Sequence, residues 1–380
     1  MSKTYDTIII GAGIAGAATA HALTQKGQKV LVLDKSGIAS GGSGAAGAFV
    51  SPKIGKGSSL QTLTNQAFSF AKDFYLSTCP QFFHQTGVVR IPKDEVDAQK
   101  FSEYEPFNEN TYENYSKEKL RVLGIDSEFE SFYFPEAGDC DAIKVCQYLL
   151  RNIEVVGYEV TGISQEDGLW YVGEYKAKNL VLSTGYESNL ADLRYMGIKG
   201  TWGTRGDFSS SLSLDVSMHQ SMSIGANVDG VIKLGATHEK EIKVPLPCQE
   251  AQALLLKEKA SSLIATSDLE LKEVFCGMRA GSKDYFPLVG KVIDVSYMLE
   301  TYPAIVRGAK PEVKYVDNLF VCNGLGGRGF VFAPLMAKML AACIVESKEV
   351  DFRMHPDRLF LKWCRKNSSL SPIPLNYVSQ

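Results

Sequence analysis

The chain has 380 residues, 45% hydrophobic and 22% charged, with a net charge of −3; this is an ordinary globular composition with room for about two domains. Near-neutral charge excludes a global positive field that would draw the chain to nucleic acid or to an anionic membrane, so any nucleic-acid contact must be local. Eight cysteines without a CxxC pair and five scattered histidines exclude zinc-ligand spacing and lead to the expectation of a reduced, cytoplasmic protein without a metal.

The first element predicted is a buried parallel strand at 5–10, YDTIII. A helix from Gly16 to Gly27 and a second strand at 29–34, KVLVLD, close a βαβ unit. Gly11, Gly13 and Gly16 stand in the G-x-G-x-x-G register directly after the first strand. Gly11 allows the tight turn, Gly13 lets the backbone approach a pyrophosphate, and Gly16 lets helix and strand pack closely. Ile14 and Ala15 belong to the same phosphate-facing turn, where free N–H groups and the positive dipole end favour an anion. Asp34, followed by Lys35, ends the second strand where a carboxylate accepts from ribose hydroxyls. The uncharged run 7–23 looks superficially like a signal peptide, but glycines at fixed positions favour the dinucleotide reading. Strand, helix and carboxylate alone do not separate NAD from FAD.

Residues 38–52, IASGGSGAAGAFVSP, are too rich in small residues for ordinary helix or strand. Ser40, Gly41, Gly42, Ser43, Gly47 and Ala48 predict a flat ligand lying close to the backbone, which favours FAD. An amphipathic helix follows in SSLQTLTNQAFSFAKDFYL. FFHQTGVVRI, 82–91, alternates as a strand does, and 93–130 is acidic and aromatic with weak periodicity, as part of a second domain. DAIKVCQYLLRN reads as a helix with Asp141 near its N-cap. EVVGYEVTGISQ, LWYVGEY and NLVLSTGYES read as strands returning to the first domain. The last of these carries Ser183, Thr184 and Gly185, a turn suited either to passing over the dinucleotide or to a plain strand exit. Residues 201–275 contain alternating segments and a helix, CQEAQALLLKEKASSLIA, assigned to the second domain's sheet and its cover.

GMRAGSKDYFPLVG, 277–290, sets Arg279 among glycines and apolar residues, either as a planar fork for a carboxylate or as a structural arginine paired with Asp284 or Glu273. Finally, a strand at 319–322 leads through Gly326, Gly327, Arg328, Gly329 and Phe330 into a helix with Pro334 in its first turn, where proline is tolerated. Arg328 either adds a full charge beside the ligand, touches the substrate, or is a surface arginine on a glycine turn.

GAGIAG with Asp34, the small residues at 39–48, Thr184-Gly185, GMRAG and GLGGRGF occur in this order, and together they resemble the D-amino-acid oxidase, glycine oxidase and sarcosine oxidase superfamily of FAD enzymes. Within it, SGGSGAAGAFVSP, GMRAGSKDYFPLVG and the tail HPDRLFLKWCRK are similar to the oxidase domain of the MnmC family of tRNA-modifying proteins. The resemblance implies a mixed α/β (α+β) fold, glycine oxidase-like: a Rossmann-like FAD-binding domain with an interleaved substrate domain on an antiparallel or mixed sheet. The expected division is 1–80, 141–200 and 276–380 for the first, and 81–140 and 201–275 for the second.

It further implies oxidation of 5-carboxymethylaminomethyl-(2-thio)uridine at the tRNA wobble position to 5-aminomethyl-uridine, with release of glyoxylate and with Arg279 holding the carboxylate. FAD is expected to be non-covalent, because the flavin-tethering cysteine of sarcosine oxidases falls at Gly277, one residue from Cys276. Lys233 falls where those enzymes have an oxygen-activating lysine, and an exposed strand lysine is the plain alternative. Lys53, Lys56, Arg358, Lys362, Arg365 and Lys366 would form a local basic rim for tRNA with Trp363 as a stacking platform; a solvated terminal helix accounts for the last four residues equally well. The start at the flavin-binding strand leads to the expectation of a separate methyltransferase acting downstream. Two rival readings are an oxidase of free glycine, sarcosine or a D-amino acid, and a non-catalytic FAD-binding module associated with tRNA.

Overall fold

The computed structural model describes residues 3–187 and 189–367. The βαβ unit consists of strand β1 (Lys3–Ile10), helix α1 (Ile14–Thr24) and strand β2 (Val30–Asp34), with the strands parallel and Thr7 to Ile10 in register with Val30 to Leu33. Buried parallel strands are apolar on both faces, because side chains alternate across the sheet. Here Ile9 and Val32 join one core cluster, whereas Ile8, Ile10, Leu31 and Leu33 join another on the opposite face.

Helix α2 (Ser59–Thr78) starts where the Ser58 side chain accepts from the Gln61 amide at 3.2 Å, and strand β3 (Val88–Arg90) follows. Asp141 caps helix α3 (Ala142–Leu150) by accepting from the Lys144 amide at 3.2 Å, as the sequence anticipates. Strands β4 (Glu154–Gly157) and β5 (Tyr175–Leu182) then return to the first sheet; Ser188, at the end of the segment read as the returning strand, lies outside the described residues.

Strands β6 (Lys199–Ser209), β7 (Val231–Gly235) and β8 (Glu270–Gly281) belong to a second, mixed sheet, with β6 antiparallel to both of its neighbours and β3 parallel to Ser217–His219. Strands β9 (Leu288–Ile293) and β10 (Tyr315–Asn323) rejoin the first sheet, followed by helices α4 (Gly329–Glu346) and α5 (Asp357–Lys366). In that sheet β1 lies between β2 and β5 and is parallel to both, β4 lies beyond β2, and β10 runs parallel to β5.

By length and composition the segment Gly326–Glu346 is apolar enough to cross a membrane; here α4 is a core helix packed against α1 and α2. It begins two residues earlier than the sequence suggests, so Pro334 sits in its second turn rather than its first. There proline removes the amide that would bond the Phe330 carbonyl. The buried Tyr75 hydroxyl donates to that same carbonyl at 2.9 Å. Tyr75→Phe is therefore expected to destabilise the protein by about 1–3 kcal/mol, read as a lower denaturant midpoint, because a buried carbonyl would be left unpaired.

Arg205 on β6 ties the small-residue loop to the second sheet. Its Nη1 donates to the carbonyls of Gly44, at 3.1 Å, and Ala46, while its Nε donates to Asp207 at 2.8 Å. The expectation of uniformly reduced cysteines is corrected at one pair: Cys248 and Cys276 form a disulfide, with Cα atoms 5.6 Å apart.

Candidate active site

A cavity of about 1460 Å³ opens at the C-terminal ends of β1, β2 and β5 and extends to the second sheet. Strand order reverses around β1, so this is the crevice where open α/β sheets bind ligands. Its volume exceeds the roughly 300–1,000 Å³ of a drug-sized site, leaving room for a dinucleotide and a second ligand.

At the first sheet, Gly11 has φ +110°, and a Cβ there would run into the Ser183 carbonyl. A Cβ on Gly16 would run into the Gly11 carbonyl, which explains why Gly16 packs behind the cavity while Gly11, Gly13, Ile14 and Ala15 line it. The Ile14 amide donates to Ser43 Oγ at 2.9 Å, and no acidic side chain occupies the first turn of α1. Asp34 accepts from the Ala12 amide at 2.8 Å and from the Ser36 and Gly37 amides at 2.9 and 3.0 Å, and it lines the cavity. Its first structural task is thus to hold both turns.

Lys35 also lines the cavity and pairs with Glu187 at 2.8 Å. Thr184 Oγ1 donates to the Glu187 carbonyl, and Asn323 Nδ2 donates to the Gly185 carbonyl at 2.8 Å. Ser183 lines the same cavity, and its buried hydroxyl has no partner among the described residues.

Ser40, Gly41, Gly42, Ser43, Gly47 and Ala48 line the cavity as anticipated, but the reason for small residues is partly different. A Cβ on Gly42 would lie 2.5 Å from the Met278 carbonyl, and one on Gly277 would lie 2.9 Å from Gly42 Cα. Close approach of the loop to β8, as well as to a ligand, demands glycine there. From the other side come Gly326, Gly327, Arg328, Gly329 and Phe330.

Arg279 lies on β8 opposite Thr201 and lines the cavity, with Nη1 and Nη2 both donating to the Thr237 carbonyl at 3.1 and 3.2 Å. The alternative of a pairing with Asp284 is corrected: that carboxylate takes a two-pronged bond from Arg358, at 2.9 Å from both Nε and Nη2. Burial pulls the Arg279 pKa below its ordinary value. Gly203 makes room for the guanidinium, since a Cβ there would run into Nη2.

Arg328 is not a surface arginine. It faces the cavity and Nη1 donates to the Ser51 carbonyl at 3.1 Å, while burial pushes its pKa down to about 10.

Lys233 is corrected. Its amine sits 2.8 Å from the buried Asp139 carboxylate and 3.2 Å from the Cys140 carbonyl, and it is absent from the cavity wall. Although burial pushes the Asp139 pKa up, Lys233 and His84 hold it below its ordinary value. The stability that Asp139 contributes is therefore fully present above its unfolded pKa and falls away as pH drops through the depressed folded value. Lys233→Met is expected to cost about 3–5 kcal/mol of stability in thermal or denaturant unfolding by orphaning a buried charge, with the oxygen reactivity of the protein that remains folded unchanged.

The basic rim is corrected as well. Lys53 lines the cavity, Lys56 pairs with Glu103 at 2.6 Å, and Arg358 is committed to Asp284. Trp363 packs against Tyr195 and Phe360 rather than standing free for a base. Lys362, Arg365 and Lys366 remain exposed on α5.

Among the cavity residues that escape the sequence reading are Arg90 and His219. The signal for Arg90 was a lone cation two positions after Val88 on an alternating strand, hence on the same face.

Among the described residues the acids along the cavity wall are Asp34, Glu159 and Glu187, all at the β2–β5 end, whereas Lys53, Arg90, Arg279 and Arg328 stand elsewhere in the wall. The glycine cradle, the acid-free helix start and the unpartnered Ser183 hydroxyl fit the pyrophosphate and ribose of FAD. The glycine turn at 326–329 opening α4 offers amides to an electron-rich ring. Cys276, the cysteine nearest the tethering register, is bonded to Cys248 and offers no thiol for a covalent link.

Residues 6–343 match the model of the FAD dependent oxidoreductase family (DAO). The bifunctional protein MnmC of tRNA 5-methylaminomethyl-2-thiouridine biosynthesis from Marinobacter nauticus is 28% identical over 367 residues, covering 89% of this chain and 55% of that protein. Its counterpart from Shewanella amazonensis is 26% identical, covering 97% of this chain and 61% of that protein. The chain thus spans little more than half the length of these relatives. Glycine oxidase from Bacillus cereus shares the fold, with TM-score 0.75 and 19% identity over 91% of this chain and 96% of that one.

Proposed function

Because the chain belongs to the FAD-dependent oxidoreductase family, we propose that it oxidises the carboxymethylaminomethyl side chain of a wobble uridine in tRNA, giving 5-aminomethyl-uridine and glyoxylate. The carrying observation is Arg279, a guanidinium in the cavity wall with no acid partner among the described residues. The reacting group under this reading is an N-substituted glycine, and a planar fork suits its carboxylate. Similarity to MnmC proteins over most of the chain supports the choice of tRNA.

Bound FAD supplies a two-electron acceptor for the methylene C–H; loss of that hydride and the amine proton gives an imine, which water splits into the primary amine and glyoxylate. Gly11, Gly13 and the first turn of α1 would hold the pyrophosphate, Asp34 the ribose, and the 40–48 and 326–330 segments the ring. Arg279, braced by the Thr237 carbonyl, would fix the carboxylate and so the methylene. Burial of its surroundings strengthens that charge-assisted bond by excluding water. The division of the chain into segments 1–80, 141–200 and 276–380 for flavin and 81–140 and 201–275 for substrate is part of the same reading.

The test is incubation of the flavin-loaded protein with tRNA carrying the modified uridine, followed by mass spectrometry of nucleosides. Conversion to aminomethyl-uridine with equimolar glyoxylate is expected. The scattering of the anticipated basic rim favours a second reading, the same chemistry on a free small amino acid. Turnover of glycine or sarcosine matching that of modified tRNA would decide for it.

A further inference from the structure

We propose that Arg90, with Lys53 and Arg328, forms a second oxyanion subsite in the cavity, separate from Arg279, that receives another anionic group of the substrate. The inference rests on the substrate reading above, in which a nucleotide carries phosphate as well as the side-chain carboxylate.

Strand geometry places Arg90 here. Val88 and Arg90 share one face of β3 and line the cavity, while Val89 between them is buried in the second sheet's own core. The neighbouring strand sets His219 directly opposite Arg90, and His219 lines the cavity too, with Nδ1 2.8 Å from Ser223 Oγ. Burial first, and then the fields of Arg90 and Arg328, push the His219 pKa well below its ordinary value. It is therefore a neutral polar neighbour rather than a further cation.

Arg90 is a poor candidate for a structural arginine. Its Nε is buried and has no partner among the described residues. Burial and Arg328 push its pKa down to about 9, so it stays charged at neutral pH; Asp97 opposes this, but makes no hydrogen bond to Arg90 among the described residues. Burial, Arg328 and Arg90 likewise lower the pKa of Lys53. Buried like charges without counter-ions destabilise a fold. A ligand oxyanion would relieve both the repulsion and the unpaired donor, and a guanidinium fork matches phosphate or carboxylate.

The two cationic regions are distinct by partner. Arg279 is braced on Thr237, from the segment after β7, whereas Arg328 is braced on Ser51, from the small-residue loop. A substrate with two anionic groups could engage both.

The experiment titrates inorganic phosphate and, separately, acetate into the flavin-loaded protein, following the thermal transition and calorimetric heat for wild type, Arg90→Gln and Arg279→Gln. Arg90→Gln is expected to lose at least tenfold in affinity for one of the two anions while keeping its flavin, and Arg279→Gln to leave that binding in place. In the Arg279→Gln background, where the first carboxylate site is removed, tighter phosphate assigns the subsite to a nucleotide phosphate, and equal or tighter acetate assigns it to a carboxylate. A further variant, Arg90→Met, is expected to melt at a higher temperature than wild type in anion-free buffer, since it removes an unpaired charge; a structural arginine would give the opposite shift. Undiminished anion affinity in Arg90→Gln, or loss of all anion binding in Arg279→Gln, would overturn the proposal. Neither outcome depends on tRNA turnover, so the substrate reading can fail independently.

Discussion

Arg279→Lys is expected to lower kcat/KM for the carboxymethylaminomethyl substrate by about 10- to 100-fold while the protein stays folded and yellow. The bond from a guanidinium to a carboxylate is worth about 1.5–3 kcal/mol when charge-assisted, and about 1.4 kcal/mol is a tenfold change in rate. The arginine braces both terminal nitrogens on the Thr237 carbonyl and still has N–H groups to give a ligand. An ammonium is a single point with no fixed plane, so it cannot keep the brace and present a paired donor at once. The loss should appear in kcat as well as KM, because a misplaced carboxylate misplaces the reacting methylene. Steady-state kinetics with modified tRNA, alongside the flavin spectrum, checks this. Unchanged kcat/KM would remove Arg279 from the site.

Gly11→Val is expected to yield protein without flavin, and with a lowered melting temperature. At φ +110° a β-branched residue is strained, and its Cβ would collide with the Ser183 carbonyl, a backbone atom that cannot rotate away. The turn between β1 and α1 would have to move, and with it the amides of Ala12 and Ile14 that bond Asp34 and Ser43. Gly37→Ala is the control: Gly37 also has positive φ, but a Cβ there meets nothing within 4 Å, so modest strain without flavin loss is expected. The ratio of flavin to protein absorbance after purification gives the result directly. A fully yellow Gly11→Val protein would refute the cradle.

Much of the first sheet and its cradle was legible because its signals are local. Apolar runs mark β1 and β2, three glycines mark the turn, and a carboxylate ends the second strand, all within about 30 residues. Legibility failed where a side chain's meaning depends on a distant partner. Lys233 looked like a strand lysine near a ring, yet Asp139, from another part of the chain, claims its amine. Arg358 and Trp363 looked like a free basic, aromatic surface until Asp284 engaged the first and Tyr195 packed on the second. Pro334 looked like a first-turn proline, and only the packing of α2 on α4 supplies the Tyr75 hydroxyl that replaces the missing bond.

The sequence by itself determined the βαβ unit with its glycine turn and the presence of an unusual arginine among glycines. These depend on backbone permissiveness and side-chain alternation, which act between near neighbours. Only the tertiary structure decided which cations keep their charge for a ligand. Charge compensation is a matter of distance in space: Arg358 and Lys233 find carboxylates on other elements, whereas Arg279, Arg328 and Arg90 line a cavity and make no ion pair among the described residues.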